Sequence, residues 1–363
     1  MVLLNFHNKF HVELSGEGIT DSGLLEYYKR FVTEKKVQPD FRCEITDVDP
    51  ILKATLGGPD QYYGVSDEGF VIKPEYGGKA IIDDSWSKIN FSRDSNKWFM
   101  FGLIEFVVRK RFSFAGAAMI HASGVKIDGK TLVFPAWRHT GKTNTMLTLL
   151  SEGASYLSDD RLWITKEGAV LGHPVPINML PYNYDSFPGL QSEARFRTAR
   201  RRVSELIHDM TAGKESFMQR ALYFTNELYF KPSNNLCTAD ELYPETEYVS
   251  RADIDAIVLL QTSDEGEMSL SEMESGFTDA MTAINYYEWN KKLENHVRAQ
   301  RLLNPDSEAL SEMLDLLNKE ADIFASVGGT VPIYKLQVPR ESEWTEEGVV
   351  DALRASLAPI FES

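Results

Sequence analysis

Cysteine is scarce in this sequence of 363 residues, which contains only Cys43 and Cys237. Two cysteines so far apart cannot form the disulfide framework of a small secreted domain, and neither lies at a metal-ligand spacing. This usage suits a reducing environment, so we expect a cytoplasmic protein.

The sequence also lacks a hydrophobic run long enough to span a bilayer. Its most hydrophobic window, residues 98–108, is short and contains Glu105. The apolar residues 1–6 are interrupted by polar residues at 7–9 before any segment that resembles a cleavage site. We therefore expect no signal peptide and no membrane partner.

Positive charge is the scarcer sign, because 38 Lys and Arg residues stand against 54 Asp and Glu residues, a net charge of −16. Such an acidic surface disfavours non-specific binding to nucleic acids, and we expect no nucleic-acid partner. Hydrophobic residues make up 43% of the chain and charged residues 25%, which supports a sizeable core and excludes global disorder. The length suits one large or two ordinary domains, and the oligomeric state stays open, a homo-oligomer included.

The most informative stretch is residues 131–160, TLVFPAWRHTGKTNTMLTLLSEGASYLSDD. Residues 132–134 are typical of a short buried strand, and residues 144–152 have apolar side chains at helical spacing. Gly153 is a typical helix stop, and residues 154–157 predict a second strand that ends in two carboxylates. The stretch therefore predicts a strand, a loop, a helix and a strand in succession.

The loop between the first strand and the helix has the sequence of a phosphate-binding loop, with alanine in place of the first glycine. In such a loop backbone N–H groups surround phosphate oxygens, and the following helix adds the positive end of its dipole. Lys142 would reach the outer phosphates, so we expect its side chain to be exposed in the empty site, and the Thr143 hydroxyl would ligate Mg²⁺. The residues of the loop are Ala136, Trp137, Arg138, His139, Thr140, Gly141, Lys142 and Thr143.

Two adjacent carboxylates, Asp159 and Asp160, follow the second strand. Adjacent strand residues point to opposite faces, so both can serve one site only where the strand ends and the backbone bends. One could hold a metal and the other accept a proton from an acceptor hydroxyl. We expect Asp159 to be the base and Asp160 the metal ligand. The alternative is that Gly-Lys-Thr is a chance helix start and the aspartate pair a turn.

The residues before the loop extend the pattern. Residues 120–125, which include His121, precede a predicted hairpin at 126–130, and the loop, helix and aspartate pair follow. This order resembles that of HPr kinase/phosphorylase and of the wider group of HPr-kinase-like proteins, which are relatives of phosphoenolpyruvate carboxykinase. The resemblance covers about residues 118–164 and, faintly, residues 331–336.

The resemblance implies an α/β fold with a P-loop core of the HPr-kinase and phosphoenolpyruvate-carboxykinase type. It also implies a phosphoryl transferase that uses ATP, or another nucleoside phosphate, with Mg²⁺. The acceptor would be a hydroxyl of a protein or peptide serine or of a small metabolite. By position, His121, Lys142, Thr143, Asp159 and Asp160 match the functional residues of the family.

The loop departs from the family pattern, because His139 stands where glycine is usual, and Trp137 and Arg138 stand where small residues are usual. These bulky side chains could narrow the phosphate cradle, add contacts to a substrate, or mean that catalysis has been lost. The alternative function is therefore a catalytically inactive nucleotide-binding module with a regulatory or interaction role. His121 could touch the transferring phosphoryl group or orient a carboxylate, or it could be a half-buried histidine at the sheet edge.

The remaining sequence predicts an α/β fold in two parts. Residues 1–115 predict an N-terminal α+β module, whose role is open between support for the core and presentation of a substrate. Residues 116–363 predict the P-loop core, with an insertion at about 182–250. The elements predicted in the module are a strand at 1–16, a helix at 24–34, a meander of strands between 62 and 91, and a helix at 96–112.

The predicted insertion contains an arginine-rich helix at 193–210. Its cluster Arg195–Arg202 is either a clamp for an anionic partner, which guanidinium geometry suits, or a solvated helix face. The elements predicted around and after the insertion are a hairpin at 161–171, a strand at 255–261, helices at 273–289, 290–303 and 307–324, a strand at 332–338 and a helix at 346–357.

Overall fold

The structure is a computed structural model, and it describes residues 1–20, 22–75, 78–187, 190, 207, 235–264, 266–340 and 347–362. Most of the predicted insertion, including the cluster Arg195–Arg202, lies outside the described residues. The described part is a mixed α/β fold with several sheets. Within these ranges, none of the helices combines the length and the apolar character that a membrane crossing requires.

The N-terminal part is built on a nine-stranded sheet. Its strands are β1 (Val2–Phe6), β2 (Phe10–Gly16), β3 (Val32–Thr33), β4 (Phe41–Thr46), β5 (Ala54–Gly57), β6 (Tyr62–Ser66), β7 (Gly69–Lys73), β8 (Ala80–Ile82) and β9 (Lys88–Ser92). They lie in the order β3-β1-β2-β4-β9-β8-β7-β6-β5. Buried and more exposed residues alternate along β2 and β4, as expected where one face of a sheet covers a core. The predicted meander is confirmed as β6 to β9.

Two predictions for this part are wrong in detail. The single strand expected at residues 1–16 is a hairpin, because His7 and Asn8 turn the chain with φ angles of 55° and 56°. The helix expected at residues 24–34 is a single turn, α1 (Leu24–Tyr27), followed by a short 3₁₀ turn. Phe31 stacks on Phe6 with ring centroids 4.4 Å apart, and this packing returns the chain to the sheet.

A long helix, α2 (Lys97–Phe114), joins the N-terminal sheet to the rest of the protein. It begins after Asn96, whose side chain accepts a hydrogen bond of 2.8 Å from the backbone N–H of Trp98. The core that it shares with the nine-stranded sheet also contains Leu293 and Val297 from the second half of the chain. The predicted N-terminal module and the predicted core therefore pack around a common interior.

The second half contains a six-stranded and a four-stranded sheet. Its strands are β10 (Ala117–Ile120), β11 (Ala122–Ile127), β12 (Lys130–Pro135), β13 (Ser155–Ser158), β14 (Leu162–Thr165), β15 (Ala169–Leu171), β16 (Ile177–Met179), β17 (Asn235–Cys237), β18 (Arg251–Asp253), β19 (Ala256–Ser263), β20 (Ser269–Glu272) and β21 (Ile333–Pro339). The larger sheet has the order β13-β11-β12-β19-β21-β20, and the smaller has the order β10-β14-β15-β18. Because β12, β19 and β21 run parallel, the loop after β12 leaves the carboxyl edge of a parallel sheet.

The described helices of the second half lie between and after these strands in the chain, and one of them, residues 291–303, packs against the nine-stranded sheet. They are α3 (Lys142–Ser151), α4 (Pro181–Ser186), α5 (Ala239–Leu242), α6 (Phe277–Asn285), a π-helix (Tyr286–Asn290), α7 (Lys291–Leu303), α8 (Ala309–Gly328) and α9 (Glu347–Glu362). The helix predicted at residues 273–289 is wrong at both ends. It begins only after Gly276, whose φ is 85°, and its last turn widens into the π-helix. The hairpin at 161–171 and the strands at 255–261 and 332–338 are confirmed, and the last helix is confirmed but continues to Glu362 instead of ending at residue 357.

Candidate functional site

The predicted phosphate-binding loop connects β12 to α3 as the sequence indicates. Helix α3 begins at Lys142 after Gly141, which has a φ of 87° that glycine adopts without steric cost. The Thr140 hydroxyl donates a hydrogen bond of 2.6 Å to the carbonyl of Trp137, which closes the loop on itself. The N–H groups of the first turn of α3, which directly follow the loop, have no hydrogen-bond partner within the helix.

The position where the family pattern has glycine is conformationally unusual. His139 has a φ of 60°, in the left-handed region that favours glycine. A residue with a side chain loses about 1–2 kcal/mol in this conformation. The loop therefore keeps a backbone shape suited to glycine although a histidine occupies the position.

Lys142 is buried, with 7% of its surface exposed, so the expectation that its side chain would be exposed is wrong. The reason is that two acceptors draw the ammonium group inward. Its Nζ lies 3.0 Å from Oδ1 of Asp160 and 3.0 Å from Nε2 of His121. A phosphate group that enters the loop would have to compete with these contacts for the lysine.

His121 is fixed between the loop and the aspartate pair. Its Nδ1 lies 2.6 Å from the carbonyl oxygen of Ala136, and because a carbonyl only accepts, Nδ1 carries the proton in this contact. In the neutral ring Nε2 is then free to accept a hydrogen bond from Lys142. Nε2 also lies 3.0 Å from Oδ1 of Asp160. Because a carboxylate only accepts, Nε2 can hydrogen-bond this oxygen only when it also carries a proton, and it then no longer accepts from Lys142.

Asp159 is buried at the end of β13, with 5% of its surface exposed. Burial raises the pKa of its carboxyl group, an effect that the positive charge of Lys142 and a side-chain hydrogen bond from Thr143 oppose. Its Oδ1 has no hydrogen-bond partner among the described residues. A buried carboxylate oxygen without a partner is the kind of group that a cation or a donor would satisfy.

Asp160 differs from its neighbour in exposure and in charge environment. Its side chain is 45% exposed, and its Oδ2 lies 3.3 Å from Nε of Arg161. Although desolvation opposes the effect, Lys142 and His121 hold the pKa of Asp160 well below its usual range. The two adjacent carboxylates therefore face different partners, as expected where the backbone bends at the end of a strand.

The π-helix packs against His121 and against the loop residues Trp137 and Arg138. A π-helical turn is wider than an α-helical turn and occurs often at functional sites. The indole of Trp289 and the ring of His121 meet edge to face with centroids 6.2 Å apart. The other contacts are the ring of Tyr287 with that of Trp137 at a centroid distance of 4.4 Å, and the carboxylate of Glu288 with Nε of Arg138 at 2.6 Å.

Buried polar contacts hold the π-helix in place. Arg109 of α2 donates from Nη1 to Oδ1 of Asn290 at 2.7 Å and from Nε to Oε1 of Glu320 at 2.7 Å. Asn285 donates from Nδ2 to the carbonyl of Met119 at 2.9 Å. Because a buried charge must be paired, these bonds fix the position of the π-helix relative to α2 and the loop.

A cavity of about 340 Å³ is lined by residues of both the loop and the π-helix. Lys142, Thr143 and the aspartate pair form its polar end, and its other walls include the apolar residues Val175 and Leu180. A cavity with a few convergent polar groups beside apolar walls is the usual form of a small-molecule site. All the loop and carboxylate residues singled out in the sequence except Ala136 and Thr140 line this cavity.

The oxygen donors of Asp159 and Thr143 suit Mg²⁺, which keeps water and phosphate ligands, better than a metal ion that is bound only by protein side chains. Among the described residues, no group of three or more His, Cys, Asp or Glu side chains is arranged to hold a metal ion. Mg²⁺ is usually bound by one or two carboxylates, substrate phosphates and water. The unpartnered Oδ1 of Asp159 and the adjacent Thr143 hydroxyl fit that pattern.

The cover formed by the π-helix was missed by the sequence analysis. The run Tyr286-Tyr287-Glu288-Trp289 is unusually aromatic, and this composition was the available signal. In sequence the run is typical of an ordinary helix, because nothing local shows that Tyr287 and Glu288 contact the loop or that Trp289 contacts His121.

Comparison with known proteins leaves the assignment to the geometry of the site. No family model matches the sequence. No curated protein matches it either.

Proposed function

We propose that this protein is a P-loop phosphotransferase of the HPr-kinase-like type. It would transfer the γ-phosphoryl group of ATP, or of another nucleoside triphosphate, to a hydroxyl acceptor in the presence of Mg²⁺. The observation that carries the proposal is the convergence of Lys142, His121 and Asp160, with contacts of 3.0 Å, at a loop of phosphate-binding sequence. Phosphoryl transfer depends mainly on positioning and charge neutralisation, so this small set of groups is sufficient.

Phosphate binding is assigned to the loop and to the start of α3. Backbone N–H groups from Arg138 to Thr143 would surround the phosphates, and the dipole of α3 would add positive charge. Lys142 would exchange Asp160 for the β- and γ-phosphate oxygens. This exchange keeps the ammonium group paired throughout, which a buried cation requires.

The contacts favour a reversal of the roles expected for the two aspartates. In P-loop enzymes the loop Ser or Thr and a strand-end Asp hold Mg²⁺ together. The carboxylate of Asp159 accepts a hydrogen bond from Thr143, and its buried Oδ1 has no partner among the described residues, so we assign Asp159 to the metal. Asp160 is more exposed and faces His121 and Arg161, so we assign it to the acceptor hydroxyl.

In the proposed reaction the acceptor oxygen forms a bond to the γ-phosphorus, and the bond from that phosphorus to the β–γ bridging oxygen breaks. The nucleoside diphosphate leaves with the electron pair of the broken bond, and Asp160 takes the hydroxyl proton. Movement of Lys142 onto the phosphates would remove a main cause of the low pKa of Asp160 and so strengthen it as a base. Bound Mg²⁺ would neutralise phosphate charge.

A second candidate function is a nucleotide-binding module without catalysis. The observation that favours it is the engagement of the loop by the π-helix, because Glu288 already neutralises Arg138 and Tyr287 already packs on Trp137. A nucleotide would then act by altering these contacts and the surface around them. This alternative requires nucleotide binding but no turnover.

The test is titration calorimetry with ATP and with ADP, each with and without Mg²⁺, followed by an assay for ADP release with hydroxyl acceptors. Magnesium-dependent ATP binding with acceptor-dependent ADP release supports the phosphotransferase. Binding without release under every acceptor condition favours the module. Absence of nucleotide binding contradicts both candidates.

A further inference from the structure

A second cavity, of about 260 Å³, lies directly beside the first. The two cavities share wall residues, so a molecule in one lies next to a molecule in the other. The shared residues are Trp98, Arg138, Arg161, Glu288 and Trp289. Neither the loop nor the aspartate pair lines this second cavity, apart from Arg138.

Helix α2 supplies one wall of the second cavity, and the π-helix and α7 supply the other. Its lining combines aromatic and aliphatic side chains, which favour an apolar occupant, with titratable side chains, of which Lys292 is exposed. Its apolar side chains are Trp98, Phe99, Leu103, Phe106, Met119, Trp289 and Leu293.

The buried charges around the second cavity are paired with one another. Arg161 contacts Glu105 through Nη1, and Arg109 is bonded to Glu320. Arg138, at the border with the first cavity, is bonded to Glu288. Arg138 is 63% exposed and Lys292 is also exposed, so the cost of breaking a buried pair applies to a charged group that would displace the Arg161–Glu105 or the Arg109–Glu320 contact. The pairing therefore favours an uncharged body.

A glycine in the middle of α2 opens this cavity. Gly102 interrupts an 18-residue helix, where glycine costs about 0.5–1 kcal/mol relative to alanine. Its φ is not in the left-handed region, and a Cβ built on it meets no atom within 4 Å. Neither backbone shape nor close packing requires glycine here. Gly102 is exposed, so its missing side chain leaves open space at the mouth of the cavity that it lines.

Arg161 connects the second cavity to the reacting groups. Arg161 lines both cavities, and its guanidinium contacts both Glu105 and Asp160, with Nε 3.3 Å from Oδ2 of Asp160. A molecule whose body fills the second cavity could therefore extend a short polar end past Arg161 to Asp160.

We propose that the second cavity is the acceptor site, and that the acceptor is a free alcohol with a compact, uncharged, apolar body. Its body lies against Gly102 of α2, and its hydroxyl points to Asp160. The inference rests on the proposed phosphotransferase function and specifies the substrate class of that site. It also gives the N-terminal part a direct role, because α2 forms half of the site.

The inference can be tested by filling the cavity with the variant Gly102→Phe. The new side chain starts in open space, and replacing a helical glycine favours folding. Gly348→Phe is the matched control, since Gly348 also lies in a helix, is exposed, and has no atom within 4 Å of a built Cβ. Gly102→Ala adds only one methyl group and separates effects on the helix from filling of the cavity.

The probes are 2-phenylethanol, L-serine and a short serine-containing peptide, each followed by ligand-observed NMR titration. We expect 2-phenylethanol to bind wild type, Gly102→Ala and Gly348→Phe, and to bind Gly102→Phe about tenfold or more weakly, a loss of about 1.4 kcal/mol or more. Calorimetric affinity for Mg²⁺–ATP should be the same in all four proteins. L-serine, which is charged, should bind more weakly than 2-phenylethanol.

Equal affinity of 2-phenylethanol for Gly102→Phe and Gly348→Phe, or no binding to wild type, overturns the inference and leaves the phosphotransferase proposal standing. Binding of the peptide but not of the free alcohol also overturns it, because the acceptor would then be a polypeptide. Absence of Mg²⁺–ATP binding in wild type instead contradicts the phosphotransferase proposal and, with it, the acceptor role.

Discussion

The side-chain nitrogen of Lys142 lies 3.0 Å from Oδ1 of Asp160. The cation proposed to bind phosphate is therefore paired with the carboxylate proposed to receive the acceptor proton. Nucleotide binding would separate them, because the phosphates compete for the same ammonium group. Phosphate binding and activation of the base would thus be linked through one side chain.

Replacement of Lys142 tests the phosphate-binding loop. Lys142→Ala should weaken Mg²⁺–ATP binding by one to two decades, since a hydrogen bond from a charged group contributes about 1.5–3 kcal/mol. The fold should persist, because the side chain of Asp160 keeps a contact with Arg161 and is 45% exposed to water. Titration calorimetry and thermal unfolding measure the two quantities.

The control is Lys126→Ala, which removes the same charge from an exposed position on β11. Its nucleotide affinity should equal that of wild type. Equal affinity in all three proteins would contradict the assignment of the loop.

The two aspartates should respond differently to replacement by asparagine. Asp160→Asn should preserve Mg²⁺–ATP binding and reduce turnover by roughly 10²–10⁴-fold, the usual contribution of a general base. Asp159→Asn should raise the Mg²⁺ concentration needed for turnover, because it would remove the charge of the proposed metal ligand. The measurement is turnover as a function of Mg²⁺ concentration for each variant.

The reverse result, with Asp160→Asn raising the Mg²⁺ requirement, would restore the roles expected from the sequence. Wild-type behaviour of both variants would show that the aspartate pair is a structural turn.

The loop conformation at His139 can be tested through stability. Because the φ of His139 is 60°, the variant His139→Gly should have a free energy of unfolding about 1 kcal/mol larger than that of His139→Ala. The usual order is the opposite, since Gly→Ala at a negative φ stabilises by about 0.4–1 kcal/mol. Urea unfolding of His139→Gly and His139→Ala measures the difference. A more stable alanine variant would show that the loop does not hold this residue in the left-handed region.

The buried side chain of His296 should make the free energy of unfolding depend on pH. Burial, reinforced by the charge of Lys292, lowers the pKa of His296 to about 4, whereas the unfolded chain has a value near 6.5. The unfolded state therefore binds the extra proton first as the pH falls. The stabilisation by neutral His296 is complete above pH 6.5 and is lost toward pH 4, by about 1.4 kcal/mol per pH unit.

His296→Gln should lack this component while keeping a group that can bond the Tyr63 hydroxyl, which lies 3.0 Å from Nδ1 of His296. Urea unfolding of wild type and His296→Gln is measured between pH 4 and 7.5. The difference between their free energies of unfolding at each pH isolates the contribution of His296, because the carboxylates titrate in both proteins and cancel. Parallel curves over the whole range would contradict a neutral buried His296.

Local patterns were sufficient for the central part of the site. The apolar run at 132–134, the helical spacing after Gly141 and the polar residues after Leu157 correctly predicted β12, α3 and β13. Helix α2 and the four-strand meander were also predicted, because their apolar residues and turn glycines act on neighbours in sequence. The single strand expected at 1–16 was wrong, because its turn uses His7 and Asn8 rather than glycine.

The sequence by itself determined the loop, the helix that follows it and the two carboxylates, since hydrophobic periodicity and turn residues specify short-range structure. Only the tertiary structure decided which partners these residues have. Burial of Lys142 against His121 and Asp160, the π-helix over the loop and the cavity beside Gly102 all bring together residues far apart in the chain. Such contacts depend on how the sheets and helices pack, and packing distances are not encoded in any local pattern of side chains.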